Sequence, residues 1–145
     1  MQVKDIMTKD VVTADVNDTV LKVAKLMTYH NIGCIPVVEN GQKVMGMITD
    51  RDIVIAMAKY NRDPENTLAV NVMTSGVYSV KPDAELSQAL ALMKKQQIRR
   101  LPVMENELLL GMVSLGDVAV YANHADTEIG EALTEISRPA KAENL

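Results

Sequence analysis

Two copies of one short motif contain the polar residues of this chain that are best suited to hold a ligand. Residues 46–52 and 111–117 each consist of a glycine, two apolar residues, a residue with a hydroxyl group, two variable residues and an aspartate. The hydroxyl stands where a predicted strand ends, and the carboxylate falls in the first turn of the following helix. Free backbone N–H groups at such a helix start attract phosphate, and a carboxylate beside them can accept hydrogen bonds from a ribose diol. The side chains concerned are Thr49 with Asp52 and Ser114 with Asp117.

The same side chains also have a purely structural interpretation. A hydroxyl at a helix start caps the helix, and an aspartate in the first turn interacts favourably with the helix dipole. Neither role needs a ligand. The motif alone therefore leaves ligand binding and helix capping open.

Two adjacent arginines are the second candidate for binding chemistry. Arg99 and Arg100 precede a predicted apolar strand, and their planar guanidinium groups suit a phosphate or a carboxylate. Their counterparts in the first half of the chain are Gly33 and Cys34, which carry no positive charge. An anion should therefore prefer one half. Alternatively, both arginines lie on the surface and only offset the acidity of the chain.

Signatures of catalysis are weak. The sequence contains neither a Gly-x-Ser-x-Gly nucleophile motif nor a Gly-x-x-x-x-Gly-Lys-Ser/Thr phosphate loop. His30 and Cys34 are four residues apart, but Gly33 ends the predicted helix between them. They therefore do not share a helix face, as a pair of metal ligands at this spacing would. We expect a protein without enzymatic activity and without a metal site.

The composition excludes several classes of protein. The 145 residues carry a net charge of −4, whereas a nucleic-acid-binding protein needs a basic face, so no nucleic-acid partner is expected. No apolar run approaches the roughly 18 residues of a membrane span, and no secretory signal is present, so we expect a cytoplasmic protein without a membrane partner. Because the chain has no Trp and no Phe, a flat ligand would lie between aliphatic side chains.

The chain repeats itself once. Ile6-Met7-Thr8 corresponds to Val72-Met73-Thr74 at an offset of 66 residues, and Gly46-Met47 corresponds to Gly111-Met112 at an offset of 65. Because two repeats this short seldom bury a core alone, we expect one body with pseudo-two-fold symmetry. The predicted divisions are a first repeat over 1–60, a linker over 61–68, a second repeat over 69–124, and a C-terminal helix with a tail over 125–145.

Each repeat is predicted to contain strand, helix, strand, strand and helix, which places the chain in the α/β (α+β) class. Apolar β-branched runs and an Asn-Gly turn indicate hairpins, and apolar stripes of helical period indicate helices. Asn17 and Asp83 are the predicted N-caps of the first helix of each repeat. The predicted strands are Val11–Thr13, Cys34–Glu39, Lys43–Thr49, Val77–Val80, Arg100–Glu105 and Leu108–Ser114, and the closing helices are 50–60 and 115–123.

A further amphipathic helix is predicted after Ala125. Asp126 or Thr127 would cap it, and it would end before Pro139. Its apolar face packs either on the same chain or on a partner. The residues of that face are Ile129, Ala132, Leu133 and Ile136.

Taken together, these motifs resemble the cystathionine-β-synthase (CBS) domain pair, also called a Bateman module. The two glycine-to-aspartate motifs, each preceded by an apolar-Pro-Val strand, carry the resemblance, which covers about Val3 to Asn123. Residues 49–54 and 98–102 are similar to those of small bacterial two-CBS proteins, the hypoxic response protein group among them. The resemblance implies a regulatory module that forms a homodimer and acts on a protein partner that the sequence does not identify. It also implies AMP, ADP, ATP or S-adenosylmethionine as a non-obligatory ligand between the repeats.

The resemblance further implies roles for single residues. In this family a cleft mixes both repeats, so we expect the better site to combine Asp52 with Arg99 and Arg100. The cleft of Asp117 would be empty or would take an uncharged adenosine group. The residues implied are Asp52 and Asp117 at the ribose, Thr49 and Ser114 at phosphate or ribose, Arg99 and Arg100 at phosphate, and Thr13, Ser79, Ile35 and Leu101 around the adenine.

Three functions stay open at this point. The first is a sensor of adenosine nucleotides that signals through a partner or through its dimer. The second is a protein-interaction module without a ligand, in which the aspartates and hydroxyls serve only as caps. The third, a small enzyme or metalloprotein, lacks a nucleophile with a base and is disfavoured.

Overall fold

The computed structural model describes residues 1–121 and 127–136, which divide into two compact units. The first-repeat unit contains Asp10–Tyr78 and Asn106–Leu109. The second-repeat unit contains the described residues of Met1–Lys9, Ser79–Glu105 and Leu110–Leu145. Each unit therefore joins the body of one repeat to the first residues of the other repeat, which we call its leading segment: residues 1–9 of the first repeat and 69–78 of the second.

The first-repeat unit is built on strands β1 (Ala14–Asp15), β2 (Cys34–Glu39) and β3 (Lys43–Thr49). β1 runs parallel to β2, and β2 runs antiparallel to β3. Asn40 and Gly41 connect β2 to β3 with φ angles of 54° and 80°, which are the left-handed conformations that a tight hairpin turn requires. Helices α1 (Val20–His30) and α2 (Asp50–Ala58) complete the unit. Its core contains Ala14, Val23, Met27, Ile35, Val37, Ile48 and Ala69.

The second-repeat unit repeats this order with α3 (Leu86–Gln96), β4 (Arg100–Glu105), β5 (Leu108–Ser114) and α4 (Leu115–Tyr121), and adds α5 (Thr127–Ile136). β5 is the neighbour of β4. Its first residues belong to the first-repeat unit, where Leu108 lies opposite Lys43 of β3. The core of the second-repeat unit includes Val3, Leu90, Met93, Leu101, Val103, Val113, Val118, Ala132 and Ile136.

In each unit the backbone of the leading segment pairs with a strand next to the glycine of the repeated motif. The Thr8 N–H donates to the Met112 carbonyl at 2.8 Å, and the Met112 N–H donates to the Thr8 carbonyl at 2.9 Å. A Cβ on Gly111 would lie 2.7 Å from the Thr8 carbonyl oxygen. The first-repeat unit has the same arrangement, with Gly46 against Thr74. The motif glycine is therefore explained by the close approach of two backbones.

The predicted strands 34–39, 43–49, 100–105 and 108–114 are confirmed at both ends. The predicted first strand of each repeat is wrong. Residues 11–13 form no ladder, because only Ala14 and Asp15 find partners on β2. In place of Val77–Val80, a single bridge joins Val80 to Val103. Residues 11–13 are only half-buried, and Tyr78 and Ser79 are exposed, so these short runs predict neither burial nor how many residues pair with the neighbouring strand.

The predicted N-caps Asn17 and Asp83 are wrong by two residues. α1 is capped by Thr19, whose Oγ1 accepts a hydrogen bond from the Lys22 N–H at 3.1 Å, and α3 begins after Glu85. Both cap residues have extended backbone and form single bridges to segments outside their helices. These bridges hold the chain extended up to the cap, so neither helix starts earlier.

The ends of the remaining helices differ slightly from their predictions. α2 ends at Ala58 rather than Tyr60, and α4 is described as far as Tyr121. The predicted end of α4 at Asn123, the cap at Asp126 and the stop at Pro139 lie outside the described residues. α5 packs on α3 of the same chain. No helix within 1–121 or 127–136 is long and apolar enough to span a membrane.

Candidate functional site

Ser114 and Asp117 form a reciprocal capping pair where β5 passes into α4. The Asp117 N–H donates to the Ser114 Oγ at 3.0 Å, and the Ser114 N–H donates to the Asp117 Oδ2 at 2.9 Å. Thr49 and Asp52 form the same pair at the start of α2, with the same two distances. Neither aspartate Oδ1 has a hydrogen bond to another described residue. Capping thus explains the motif and leaves one oxygen of each carboxylate able to accept a bond from a ligand.

Removing either capping hydroxyl should destabilise the protein by a moderate amount. Thr49→Ala and Ser114→Ala each leave the backbone N–H of the paired aspartate without its acceptor, and we expect losses of about 0.5–2 kcal/mol in the free energy of unfolding. Urea denaturation measures this. Thr28→Ala is the matched control, because the Thr28 hydroxyl is exposed and only donates to the Ala24 carbonyl within α1. Equal losses in all three variants would contradict the capping role.

An open pocket of about 390 Å³ lies beside Ser114, entirely within the second-repeat unit. Its volume falls in the range of small-molecule sites, roughly 300–1,000 Å³. The polar part of the lining is Arg99, Arg100 and Ser114, and the remainder is Leu115, Gly116, Ala119 and Leu133. A cationic region next to aliphatic side chains suits a molecule that carries both an anionic group and a flat apolar part.

The guanidinium groups of this pocket are unpaired within the described residues. Arg99 and Arg100 are exposed, and neither side chain forms an ion pair or hydrogen bond with another described residue. The Leu115 N–H donates to the Arg99 carbonyl at 2.8 Å, which holds the Arg99 backbone beside the start of α4. The exposure of both side chains also fits the alternative that they lie on the surface and only offset the acidity of the chain, so the two interpretations stay open.

The equivalent place in the first-repeat unit contains a carboxylate where the second repeat has an arginine. Gly33 stands where the second repeat has Arg99, and a Cβ on Gly33 would lie 3.0 Å from the Asp50 Oδ2. The Asp50 Oδ1 accepts a hydrogen bond from the Arg51 N–H at 2.9 Å. A carboxylate therefore occupies the space that a basic side chain would need. The junction of the second-repeat unit therefore has two arginine side chains beside its pocket, whereas that of the first-repeat unit has Asp50 next to Gly33 and Arg51 after it.

The remaining predicted site residues fall in different surroundings. Thr13 is half-buried just before β1, and Ser79 is exposed just before Val80. Ile35 and Leu101 are completely buried in the cores of their units, so they would meet an adenine only if their surroundings opened. The predicted pairing of Asp52 with the two arginines joins residues of different units and stays a prediction.

Four residues that line the pocket were not predicted as site residues: Leu115, Gly116, Ala119 and Leu133. Leu115 and Gly116 are the two variable residues of the second motif, and Ala119 and Leu133 lie on α4 and α5. Only the packing of α5 on α3 brings Leu133 to the wall of the pocket. The amphipathic pattern of residues 129–136 was the available signal, and it did not distinguish a core position from a pocket wall.

His30 and Cys34 lie apart in secondary structure, as the sequence predicts. His30 is the last residue of α1, and Cys34 is the first residue of β2. The centroid of the His30 ring lies 4.9 Å from that of the Tyr29 ring in an edge-on arrangement. Within residues 1–121 and 127–136, no three His, Cys, Asp or Glu side chains are grouped so that they could hold a metal ion.

Comparison with known families and proteins finds the same two repeats. The family model described as CBS domain matches residues 3–59 and 69–124. The CBS domain-containing protein YhcV of Bacillus subtilis is 44% identical over 135 residues, which span 93% of this chain and 94% of YhcV. The two matched segments cover both repeats and stop before α5.

Two solved structures are similar to most of this chain. Hypoxic Response Protein I, solved with two coordinated zinc ions, is 31% identical with a TM-score of 0.78, and the match covers 85% of this chain and 100% of that protein. The CBS domain pair of protein MJ0100 was solved in complex with 5′-methylthioadenosine and S-adenosyl-L-methionine. It is 30% identical with a TM-score of 0.72, and the match covers 83% of this chain and 98% of that pair.

Proposed function

This chain belongs to the CBS domain family as a tandem pair, and on that premise we propose that it is a regulatory module that binds an adenosine compound carrying an anionic group. The proposal rests on one observation. The unpaired guanidinium groups of Arg99 and Arg100 line a pocket with Ser114 and with aliphatic side chains. The family match adds a domain pair that was solved with two adenosine compounds.

Each part of the proposed ligand has a partner in the second-repeat unit. The planar forks of Arg99 and Arg100 match a phosphate or a carboxylate in geometry and charge. Ser114 lines the same pocket, and the Oδ1 of its capping partner Asp117, which accepts no hydrogen bond from another described residue, can accept one from a ribose hydroxyl. AMP, ADP and ATP supply phosphate, and S-adenosylmethionine supplies a carboxylate. 5′-Methylthioadenosine has no anionic group and should bind more weakly.

We propose further that the module signals through a protein partner or through a homodimer in the cytoplasm. Two apolar side chains near the end of α4 support such a surface, because Val120 is 79% exposed and Tyr121 is 59% exposed. Exposed large apolar side chains are one feature of surfaces that contact other proteins. The capping pairs support the second candidate, a module that acts through protein contacts without any ligand.

Thermal unfolding in the presence of ligands tests the proposal. We expect AMP, ADP, ATP and S-adenosylmethionine to raise the midpoint of unfolding as their concentration rises. A concentration of 100 times Kd contributes about 2.7 kcal/mol, or about 5–11 °C for a protein of this size. 5′-Methylthioadenosine should give a smaller rise at equal concentration.

Two variants give this experiment its controls. Asp117→Ala should start from a lower midpoint, because a cap is lost, and should show a smaller rise with AMP. Asp83→Ala changes an exposed aspartate outside the pocket and should keep the full rise. Flat midpoints with all five compounds at millimolar concentration would support the ligand-free interaction module instead.

A further inference from the structure

The C-terminal helix α5 lies outside the matched family domains and yet contributes to the pocket. The second matched segment ends at residue 124, whereas α5 spans Thr127–Ile136. α5 packs on α3 and buries Ala132 and Ile136 in the core of the second-repeat unit. The Gln97 Nε2 also donates a hydrogen bond to the Glu135 carbonyl at 3.2 Å. The helix is therefore part of the unit that contains Arg99 and Arg100.

Leu133 differs from the residues of α5 that hold the helix in place. It is 46% exposed, while its neighbour Ala132 is 1% exposed and Ile136 is 7% exposed. Its side chain lines the same pocket as Arg99 and Arg100. A half-exposed leucine side chain is not stabilised by the two charged groups beside it. Burial of its surface against an apolar group would be favourable. The flat base of an adenosine compound supplies such a surface when its anionic group lies at the arginines.

We propose that Leu133 is the contact for the base of the ligand and that docking of α5 on α3 and ligand binding strengthen each other. This inference rests on the proposed function and names the element that responds to the ligand. Because coupling between two equilibria is reciprocal, a ligand that touches Leu133 stabilises docked α5, and docked α5 stabilises the bound ligand. The C-terminal helix thereby reports whether the pocket is occupied.

The ligand contact is tested by comparing two ligands that differ only in the base. AMP contains the base, the ribose and the phosphate, whereas ribose 5-phosphate lacks the base. Calorimetric titration of Leu133→Ala should show Kd for AMP raised about three- to tenfold, with Kd for ribose 5-phosphate unchanged. Leu110→Ala is the matched control, since Leu110 is 39% exposed in the same unit but does not line the pocket. Its affinity for AMP should equal that of the unmodified protein.

Hydrogen exchange of the unmodified protein tests the coupling without any variant. Saturating AMP should slow backbone exchange in residues 127–136, and ribose 5-phosphate should slow it less. Unchanged exchange in α5 at saturation, or equal affinity of Leu133→Ala and the unmodified protein for AMP, overturns this inference and leaves the proposed function intact. Absence of AMP binding to the unmodified protein overturns both.

Discussion

Gly111→Ala should strongly destabilise the protein, and Gly46→Ala should do the same in the first-repeat unit. The new Cβ would lie 2.7 Å from the Thr8 carbonyl oxygen and 2.8 Å from the Met7 Sδ. Overpacking of this kind costs about 1–3 kcal/mol. If the leading segment moves away, the two hydrogen bonds between Thr8 and Met112 are lost as well, at about 0.5–1.5 kcal/mol each. Urea denaturation measures the total.

Gly130→Ala provides a control with the opposite sign. Gly130 lies inside α5 and a Cβ there would meet nothing within 4 Å. Alanine in a helix interior is favoured over glycine by about 0.5–1 kcal/mol, so this variant should be slightly more stable than the unmodified protein. A Gly111→Ala protein with an unchanged free energy of unfolding would mean that the backbone of the leading segment does not lie against β5 at this glycine.

Removing the two arginines should have the largest effect on ligand binding. Hydrogen bonds to charged groups contribute about 1.5–3 kcal/mol, so Arg99→Ala and Arg100→Ala should each weaken AMP binding about 10- to 100-fold. The stability of the unliganded protein should change little, because neither side chain forms an ion pair with a described residue. Affinity for 5′-methylthioadenosine, which has no anionic group, should fall much less.

Arg62→Ala is the control for the loss of one positive charge. Arg62 lies in the first-repeat unit between the two matched segments, is exposed, and does not line the pocket. Its affinity for AMP should stay within about twofold of the unmodified protein, because surface charges away from a site are screened by salt. Equal losses in Arg62→Ala and Arg100→Ala would show that only the overall charge of the chain matters.

Much of the fold was predictable because its signals are local. The strands of both hairpins follow from apolar β-branched runs and short turns, and their limits agree with the sequence prediction. The antiparallel bridge between Thr8 and Met112 of β5 joins residues about a hundred positions apart, and no local pattern contains that information. Other contacts between distant segments, from Thr19 to Leu68 and from Glu85 to Gln2, lie at the observed starts of α1 and α3, which the sequence placed at Asn17 and Asp83.

The candidate site was predictable in its residue types more than in its arrangement. The hydroxyl and carboxylate pairs were visible in the motif, and the structure adds that each pair caps its own helix. The arginines were recognised from their position before a strand. The proximity of Leu133 to them depends on where α5 packs, which the amphipathic pattern of that helix does not specify.

Calorimetric titration of the unmodified chain with AMP, set beside the Arg99→Ala/Arg100→Ala double variant, tests the central claim most directly. The charge contrast between the two junctions predicts saturable binding of one AMP per chain, with affinity that falls as salt is added. The double variant should show no measurable binding in the same concentration range. Undiminished AMP binding by the double variant, or no binding of AMP by the unmodified chain at millimolar concentration, would contradict the assignment of an anionic adenosine ligand to this pocket.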